Sequence, residues 1–150
     1  MKADLLPGNE WHREPTEDGL LDDPIRLLIA DDDADTTMVL RDVLPAFGFE
    51  VVGNARNGAE AGAKAADLHP EVILMDLRMP DVDGIEATVL VKAKEPRTQV
   101  VIITAYPQDG ARDTAEYMGA TDLLDKDAPL EVIVDTLRHA ALVYRSTPPA

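Results

Sequence analysis

Short apolar runs alternate five times along the chain with longer stretches in which apolar residues recur every three or four positions. Runs of the first kind are typical of buried strands, and spacing of the second kind is typical of amphipathic helices. The predicted strands are residues 25–30, 49–53, 72–75, 100–104 and 121–124. The predicted helices are residues 35–45, 59–68, 84–94, 109–118 and 129–144. This alternation predicts an α/β fold, in which a parallel sheet is covered by helices on both faces.

The helix signals differ in strength along the chain. Asn57 and Asp83 each precede a predicted helix, where a short polar side chain can cap the first free backbone N–H groups. The fourth helix is weaker, because Gly110 disfavours helix near its start and few apolar residues follow. Arg112 and Glu116 stand one turn apart in it and are expected to pair in solvent. We expect this helix to be short or mobile.

Two of the predicted strands end in acidic residues. The run Val72 to Met75 leads without a break into Asp76, and the first run leads into Asp31, Asp32 and Asp33. In open parallel sheets, ligands bind at the carboxyl edge of the strands. If the first and third strands are neighbours, about 4.8 Å apart, these carboxylates converge. Clustered carboxylates resist ionising together unless a cation lies among them, and hard oxygen ligands suit Mg²⁺.

Two further polar groups are expected at the same edge. The fourth run ends in Thr104, followed by Ala105, and Lys126 follows the fifth run. A carboxylate nucleophile, a divalent cation, a hydroxyl and an ammonium group are the parts needed to form an aspartyl phosphate and to hold its oxygens. Taken singly, Thr104 is an ordinary strand residue and Lys126 an ordinary surface lysine. Only their combination at strand ends is specific.

The first acidic cluster has two simpler interpretations. It could cap the following helix and carry spare surface charge. It could also open a calcium-binding EF-hand loop, with Asp31, Asp33 and Asp35 at alternate positions. That loop needs a glycine at its sixth position, where this chain has Thr36. The EF-hand interpretation is therefore disfavoured.

Several short motifs occur together and in a fixed order. They are Leu28-Ile29-Ala30-Asp31-Asp32, Met75-Asp76-Leu77-Arg78-Met79-Pro80, Asp83-Gly84, Thr104-Ala105, Gly119-Ala120 and Lys126-Asp127. With these motifs, residues 25 to about 145 resemble a bacterial response regulator receiver domain, of the kind often followed by a helix-turn-helix output domain. The resemblance implies a flavodoxin-like (βα)5 doubly wound parallel sheet with strand order 2-1-3-4-5.

The resemblance also implies the chemistry of two-component signal transduction. Asp76 would accept a phosphoryl group from a histidine kinase, a phosphotransfer protein or a small acyl phosphate. Asp31, Asp32, Asp76 and the backbone carbonyl of Arg78 would hold Mg²⁺. A second copy of the chain is a further candidate partner, as a homodimer.

Other positions are assigned by the same resemblance. Thr104, Ala105 and Lys126 would bind the phosphoryl oxygens and relay the change to an output face. Leu123 stands where receivers usually carry an aromatic switch residue. Two more residues are expected to act from their positions rather than from the resemblance. Arg78 lies two residues beyond Asp76 and Tyr106 two residues beyond Thr104; both are bulky, so both should flank the path of attacking water and tune dephosphorylation.

Composition limits the partners and the compartment. The net charge is −15, from 29 acidic and 14 basic residues. A surface this acidic repels nucleic-acid phosphates, so we expect no direct binding to nucleic acid. The chain has no cysteine, which excludes disulfides, thiolate zinc sites and thiol nucleophiles. No apolar run approaches the ~18 residues of a membrane span and no signal-peptide core is present, which fits a cytoplasmic protein.

The predicted domain is residues 25–145, between two shorter segments. Residues 1–24 are acidic, contain three prolines and lack apolar periodicity, so we expect a flexible leader. Trp11, the only tryptophan, lies in this leader. Residues 146–150 are expected to be a C-terminal tail, too short to hold an output domain.

Two other functions stay open on the residues. A receiver-shaped module could signal through a constitutive surface without phosphate. Leu123 and the weak fourth helix favour this alternative, whereas the complete acidic set, Thr104 and Lys126 disfavour it. A phosphatase with an aspartyl nucleophile would carry a second aspartate two residues after it, where this chain has Arg78. We therefore expect a signalling domain that phosphorylates and dephosphorylates itself, without turnover of other substrates.

Overall fold

The computed structural model describes residues 21–149 of the chain. Its strands are β1 (Ile25–Ala30), β2 (Phe49–Ala55), β3 (Val72–Asp76), β4 (Gln99–Thr104) and β5 (Asp122–Asp125). All of them pair in parallel, in the order β2-β1-β3-β4-β5. The flavodoxin-like strand order expected from the resemblance is therefore confirmed.

A helix follows each strand. The helices are α1 (Ala34–Val43), α2 (Gly58–Leu68), α3 (Gly84–Lys94), α4 (Ala111–Tyr117) and α5 (Leu130–Ser146). The two predicted caps are confirmed: the side chain of Asn57 accepts a hydrogen bond from the Glu60 N–H, and that of Asp83 from the Glu86 N–H. These caps fix where α2 and α3 begin.

The sheet has a separate apolar core on each face, because successive strand residues point to opposite sides. Leu27 and Ile29 of β1 belong to the first core, which includes the buried residues of α5. Leu28 and Ala30 belong to the second core, which includes the buried alanine and valine residues of α2, α3 and α4. Every residue of β3 is buried, as expected for a central parallel strand covered on both faces.

Strand register brings the acidic residues to one level of the sheet. Ala30 at the end of β1 pairs with Met75 of β3, so the following residues, Asp31 and Asp76, leave the sheet side by side. On the other side, Asp76 pairs with Ile103 of β4. The carboxyl edge of the sheet is thus where these side chains meet.

The first helix ends earlier than predicted. The sequence pattern placed its end at Pro45, but α1 ends at Val43 and a 3₁₀ turn, Leu44–Phe47, follows. Proline has no N–H to continue the α-helical hydrogen bonds, and it occupies the start of the tighter turn instead. Gly48 then ends the turn with a φ of 92°, a value that favours glycine.

The last two helices also depart from their predicted bounds. The fourth helix was expected over residues 109–118, and α4 has only seven residues because Gly110, with a φ of 81°, cannot belong to it. The expectation of a short helix is therefore confirmed. Pro129, expected as the first residue of the last helix, is its N-cap, with a φ of −55° and a ψ of 146°. That helix runs to Ser146, which the sequence placed in the tail.

The start of the described chain is attached to the domain. Residues 1–20, including Trp11, lie outside the described residues. Leu21 packs against the first core, and the Pro24 carbonyl accepts a hydrogen bond from Arg145 at 3.0 Å. Arg145 also contacts the buried carboxylate of Glu71, which accepts from the Arg26 N–H as well. The last residues of the expected leader therefore contact the end of α5, at the edge opposite Asp76.

Candidate functional site

Three carboxylates converge at the carboxyl edge of the sheet. Ligand atoms of Asp31, Asp32 and Asp76 all lie within 4.8 Å of one another. Asp31 and Asp76 are buried, with 4% and 5% of their surface exposed, whereas Asp32 faces solvent. The convergence predicted from the two strand ends is therefore present.

Lys126 joins the two buried carboxylates. Its Nζ lies 3.1 Å from Asp31 Oδ2 and 3.2 Å from Asp76 Oδ2. The other oxygen of each carboxylate accepts a backbone N–H, from Asp33 to Asp31 at 2.8 Å and from Arg78 to Asp76 at 3.2 Å. Both carboxylates are thus held from two sides, by one side chain and by the loop that follows each strand.

Burial and charge shift the protonation equilibria of this cluster. Burial, and after it the charge of Asp31, raises the pKa of Asp76, and the hydrogen bonds from Arg78 and Lys126 only partly offset this. Burial alone would lower the pKa of Lys126, but hydrogen bonding and attraction to Asp31 and Asp76 outweigh it and raise the pKa. The site therefore favours the charged form of Lys126 and disfavours ionisation of Asp76 beside Asp31.

Thr104 reaches the same edge from β4. Its side chain is buried, and its hydroxyl accepts a hydrogen bond from the Tyr106 N–H at 3.2 Å. Its carbonyl accepts from the Lys126 N–H at 2.9 Å, which fixes the start of the loop after β5. Ala105, the next residue, is exposed. The hydroxyl and the ammonium group predicted at this edge are therefore both there.

The fold and these side chains agree with a family of known sequences. A family model described as the response regulator receiver domain matches residues 27–138. The chain belongs to the response regulator receiver domain family. Phosphorylation on an aspartate is general for this family.

Relatives of this receiver domain differ in length. Chemotaxis protein CheY of Bacillus subtilis is 37% identical over 116 residues, which cover 75% of this chain and 97% of that protein. A protein-glutamate methylesterase/protein-glutamine glutaminase of Archaeoglobus fulgidus is 42% identical over 104 residues, or 68% of this chain. Because the chain spans only 30% of the length of that methylesterase, the likeness does not extend to the whole enzyme.

Solved receiver structures have the same fold. The receiver domain of the response regulator NarL from Mycobacterium tuberculosis superposes with a TM-score of 0.74 at 30% identity, covering 80% of this chain and 98% of that one. The response regulator domain of Thermotoga maritima CheB gives a TM-score of 0.70 at 34% identity, covering 84% and 99%. The beryllofluoride-activated receiver dimer of NtrC4 gives 0.72 at 30% identity, covering 79% and 98%.

The receiver's fourth helix is attached to β5 by an arginine. Arg112 NH2 donates to the Leu123 carbonyl at 2.9 Å, and its NH1 lies 3.2 Å from Asp122 Oδ1. The expected pairing of Arg112 with Glu116 is therefore wrong, because the strand beside the helix offers both a carboxylate and a carbonyl. Leu123 itself is buried in the second core. It occupies the position at which receivers usually carry an aromatic switch residue.

The two residues expected to tune dephosphorylation lie at the surface. Arg78 is exposed in the loop after β3, and Tyr106, with 75% of its surface exposed, lies in the loop after β4. Their backbone N–H groups contact Asp76 and Thr104, as described above, while their side chains lie toward solvent. Their role as shields stays a prediction.

Gly84, which the sequence analysis named in a motif without a role, shapes the site. A Cβ on Gly84, the first residue of α3, would lie 2.6 Å from the Asp76 carbonyl oxygen and 2.9 Å from Leu77 Cα. Only glycine therefore lets α3 begin directly against the backbone of the phosphoacceptor candidate. The signal was present in the sequence, because glycine is a poor helix former yet follows the cap Asp83.

None of the helices in the described part of the chain combines the length and the hydrophobicity needed to cross a membrane.

Proposed function

We propose that this receiver domain takes a phosphoryl group on Asp76, with Mg²⁺ held by Asp31, Asp32, Asp76 and the backbone carbonyl of Arg78. The donor would be the phosphohistidine of a histidine kinase or phosphotransfer protein, or a small acyl phosphate. Modification of Asp76 would then change the surface that an output partner reads. Membership of the receiver family supports the acceptor chemistry, and the donor and the metal are our inference.

The observation that carries this proposal is the position of Lys126 between the two buried carboxylates. A lysine that contacts both Asp31 and Asp76 would lie within reach of the oxygens of a phosphoryl group on Asp76. An ammonium group placed there in advance can stabilise the charge that develops on those oxygens. The same geometry holds the Asp76 carboxylate in place before the donor arrives.

The donor set fits a divalent cation. Three carboxylates face one ammonium group, so the cluster is short of positive charge. All its ligands are oxygens, which are the ligands that Mg²⁺ prefers, and the exposure of Asp32 leaves one side open to water and phosphate. When bound, the ion would neutralise charge on the transferring group.

The protein groups have separate tasks in the transfer. An oxygen of Asp76 forms a bond to phosphorus while the bond from phosphorus to the donor's imidazole nitrogen or acyl oxygen breaks, and the leaving group keeps that electron pair. The Thr104 hydroxyl and the Lys126 ammonium group would bind the phosphoryl oxygens. The Thr104 hydroxyl would continue to accept the N–H of Tyr106 and would donate its own proton to a phosphoryl oxygen.

A signalling role includes partners that the chain must recognise. We propose a histidine kinase or phosphotransfer protein as donor partner. A homodimer is a second proposed assembly, since the 30% identical NtrC4 receiver is described as a dimer when activated by beryllofluoride. Sedimentation with and without beryllofluoride would test it, and an unchanged monomer in both conditions would contradict it.

The proposal is tested by incubating the protein with Mg²⁺ and a small acyl phosphate and measuring the intact mass. We expect one added phosphoryl group on the wild type, and none on Asp76→Asn or in excess chelator. Asp81→Asn, which changes an exposed acid in the loop after β3, is the matched control and should be labelled like the wild type. If the wild type stays unmodified, the chain still belongs to the receiver family, and the result would favour the phosphate-independent interaction module instead.

A further inference from the structure

The loop between β3 and α3, residues 77–83, has a conformation that other parts of the chain must hold. The Val82 N–H donates to the Pro80 carbonyl at 2.9 Å, and Asp81 between them has a φ of 70°. Positive φ is uncommon outside glycine and persists where the surrounding structure determines it. This loop includes Arg78, whose carbonyl our proposed function assigns to the metal.

Gly58, at the start of α2, packs against this loop from outside. A Cβ at Gly58 would lie 2.5 Å from the Val82 carbonyl oxygen and 2.8 Å from Val82 Cβ. Real Cβ atoms essentially never approach that closely, so a side chain at position 58 has to displace something. Val82 in turn packs against the second core, which limits how far its side chain can move away.

The first turn of α2 has little freedom to move instead of the loop. The Asn57 side chain accepts from the Glu60 N–H at 2.8 Å, and the Glu60 carboxylate accepts from the Arg56 N–H at 2.6 Å. Ala61, one turn into the helix, is fully buried. With the cap and the buried face both fixed, a Cβ at Gly58 would push the loop rather than the helix.

We propose that Gly58 is a positioning residue for the metal site. The absence of its side chain lets α2 approach Val82 and hold residues 77–83 in the conformation that presents the Arg78 carbonyl beside Asp76. Gly58 touches neither the carboxylates nor the phosphoryl position, and it acts only through the loop. The inference rests on the proposed function. It adds Gly58, at the start of α2, to the residues on which the metal site depends.

A matched pair of substitutions in the same helix tests the proposal. Gly58→Ala introduces the clash, whereas Gly62→Ala adds the same methyl group where the nearest atom is Leu90 Cβ at 3.9 Å. Titration calorimetry of the unphosphorylated proteins gives the Mg²⁺ dissociation constant without any turnover. Mutation of a group that hydrogen-bonds a metal ligand typically costs about 10–100-fold in affinity. Gly58 acts one contact further out, so we expect Gly58→Ala to weaken Mg²⁺ binding by up to about tenfold and Gly62→Ala to leave it unchanged.

Labelling by a small acyl phosphate gives a second readout that general destabilisation would not change. In Gly58→Ala, the Mg²⁺ concentration for half-maximal rate should rise about as much as the dissociation constant, while the rate at saturating Mg²⁺ should fall much less. An equal loss of rate at all Mg²⁺ concentrations would overturn the proposal.

A pair of valine substitutions covers the case in which Gly58→Ala does not fold. Val82→Ala removes the Val82 Cγ atoms, one of which is the third-nearest atom to the Cβ position of Gly58, and Val89→Ala, at a valine that is 45% exposed on α3, is its control. Weaker Mg²⁺ binding by Val82→Ala, with unchanged binding by Val89→Ala, supports the proposal. If the wild type is labelled on Asp76 but Val82→Ala and Gly58→Ala bind Mg²⁺ normally, the proposal is wrong and the proposed function stands. If the wild type neither binds Mg²⁺ nor is labelled, the proposed function itself has failed.

Discussion

The ammonium nitrogen of Lys126 lies 3.2 Å from Oδ2 of Asp76, although the two residues are 50 positions apart in sequence. The same nitrogen also contacts Asp31, so two buried carboxylates depend on one cation. Lys126→Gln should therefore destabilise the metal-free protein, since hydrogen bonds to charged groups contribute about 1.5–3 kcal/mol each. We expect the thermal midpoint in chelator to fall by several degrees.

Added Mg²⁺ should recover more of that loss in Lys126→Gln than it adds to the wild type, because the ion supplies the missing positive charge. Lys92→Gln is the control. Lys92 is a partly buried lysine that donates to the carbonyls of Pro96 and Thr98, and its loss should lower the midpoint equally with and without Mg²⁺. An equal Mg²⁺ response in both variants would contradict this account of Lys126.

Neighbouring acids after β1 should behave differently, because their side chains have different tasks. Asp32 belongs to the carboxylate cluster, whereas the Asp33 side chain accepts from the Asp35 N–H and the Thr36 hydroxyl at the start of α1. Asp32→Ala should weaken Mg²⁺ binding and phosphorylation together, and excess Mg²⁺ should restore phosphorylation.

Asp33→Ala should instead lower the free energy of unfolding by about 1 kcal/mol, as the loss of a helix cap does, and leave Mg²⁺ binding near the wild-type value. Urea unfolding and Mg²⁺ titration separate the two effects. The prediction fails if both variants lose Mg²⁺ binding alike, because the two acids would then be interchangeable.

Arg78 and Tyr106 are expected to slow loss of the phosphoryl group. Both are bulky, and both follow a residue of the site by two positions. Replacement of either by alanine should open the path for attacking water and speed dephosphorylation several-fold, measured as decay of the labelled mass after removal of the donor. Tyr117→Ala is the control, since Tyr117 is 88% exposed and lies on α4 rather than in the loops after β3 and β4. Unchanged lifetimes in both test variants would remove these side chains from the mechanism.

The seven-residue α4 should be the least stable helix of the domain. Its attachment includes Arg112, which contacts Asp122 and the Leu123 carbonyl. An exposed ion pair contributes about 0.2–1 kcal/mol, so Arg112→Ala should raise amide hydrogen exchange in Ala111–Tyr117 by up to about fivefold.

Beryllofluoride with Mg²⁺ should slow exchange in the wild-type helix, because phosphorylation would act by ordering α4 rather than by rotating an aromatic side chain at Leu123. Helix α5 is the internal reference in both experiments. Protection of α4 equal to that of α5 before any addition would show that α4 is already ordered.

Local signals in the sequence were enough to place most elements. The apolar runs predicted every strand, and Asn57 and Asp83 predicted the starts of two helices. Both features could be predicted because strand burial and helix capping depend on residues that are close in sequence. The bounds failed where single residues decided them: Pro45 belongs to a 3₁₀ turn after α1, and the positive φ of Gly110, which does not follow from apolar spacing, shortens α4.

Contacts between distant residues explain the rest. The convergence of Asp31 and Asp76 could be predicted because both end central strands. The bridging position of Lys126, the pairing of Arg112 with Asp122 and the approach of Gly58 to Val82 depend on how loops and helices pack, so a pattern of residue types does not determine them.

The central claim is that Asp76 itself carries the phosphoryl group. Borohydride reduces an aspartyl phosphate to homoserine, which marks the modified position permanently. After incubation with a small acyl phosphate and Mg²⁺, reduction and tandem mass spectrometry, we predict homoserine at position 76 and at no other aspartate, and none when Mg²⁺ is chelated. Homoserine at Asp31, Asp32 or another aspartate, with Asp76 intact, would contradict the account.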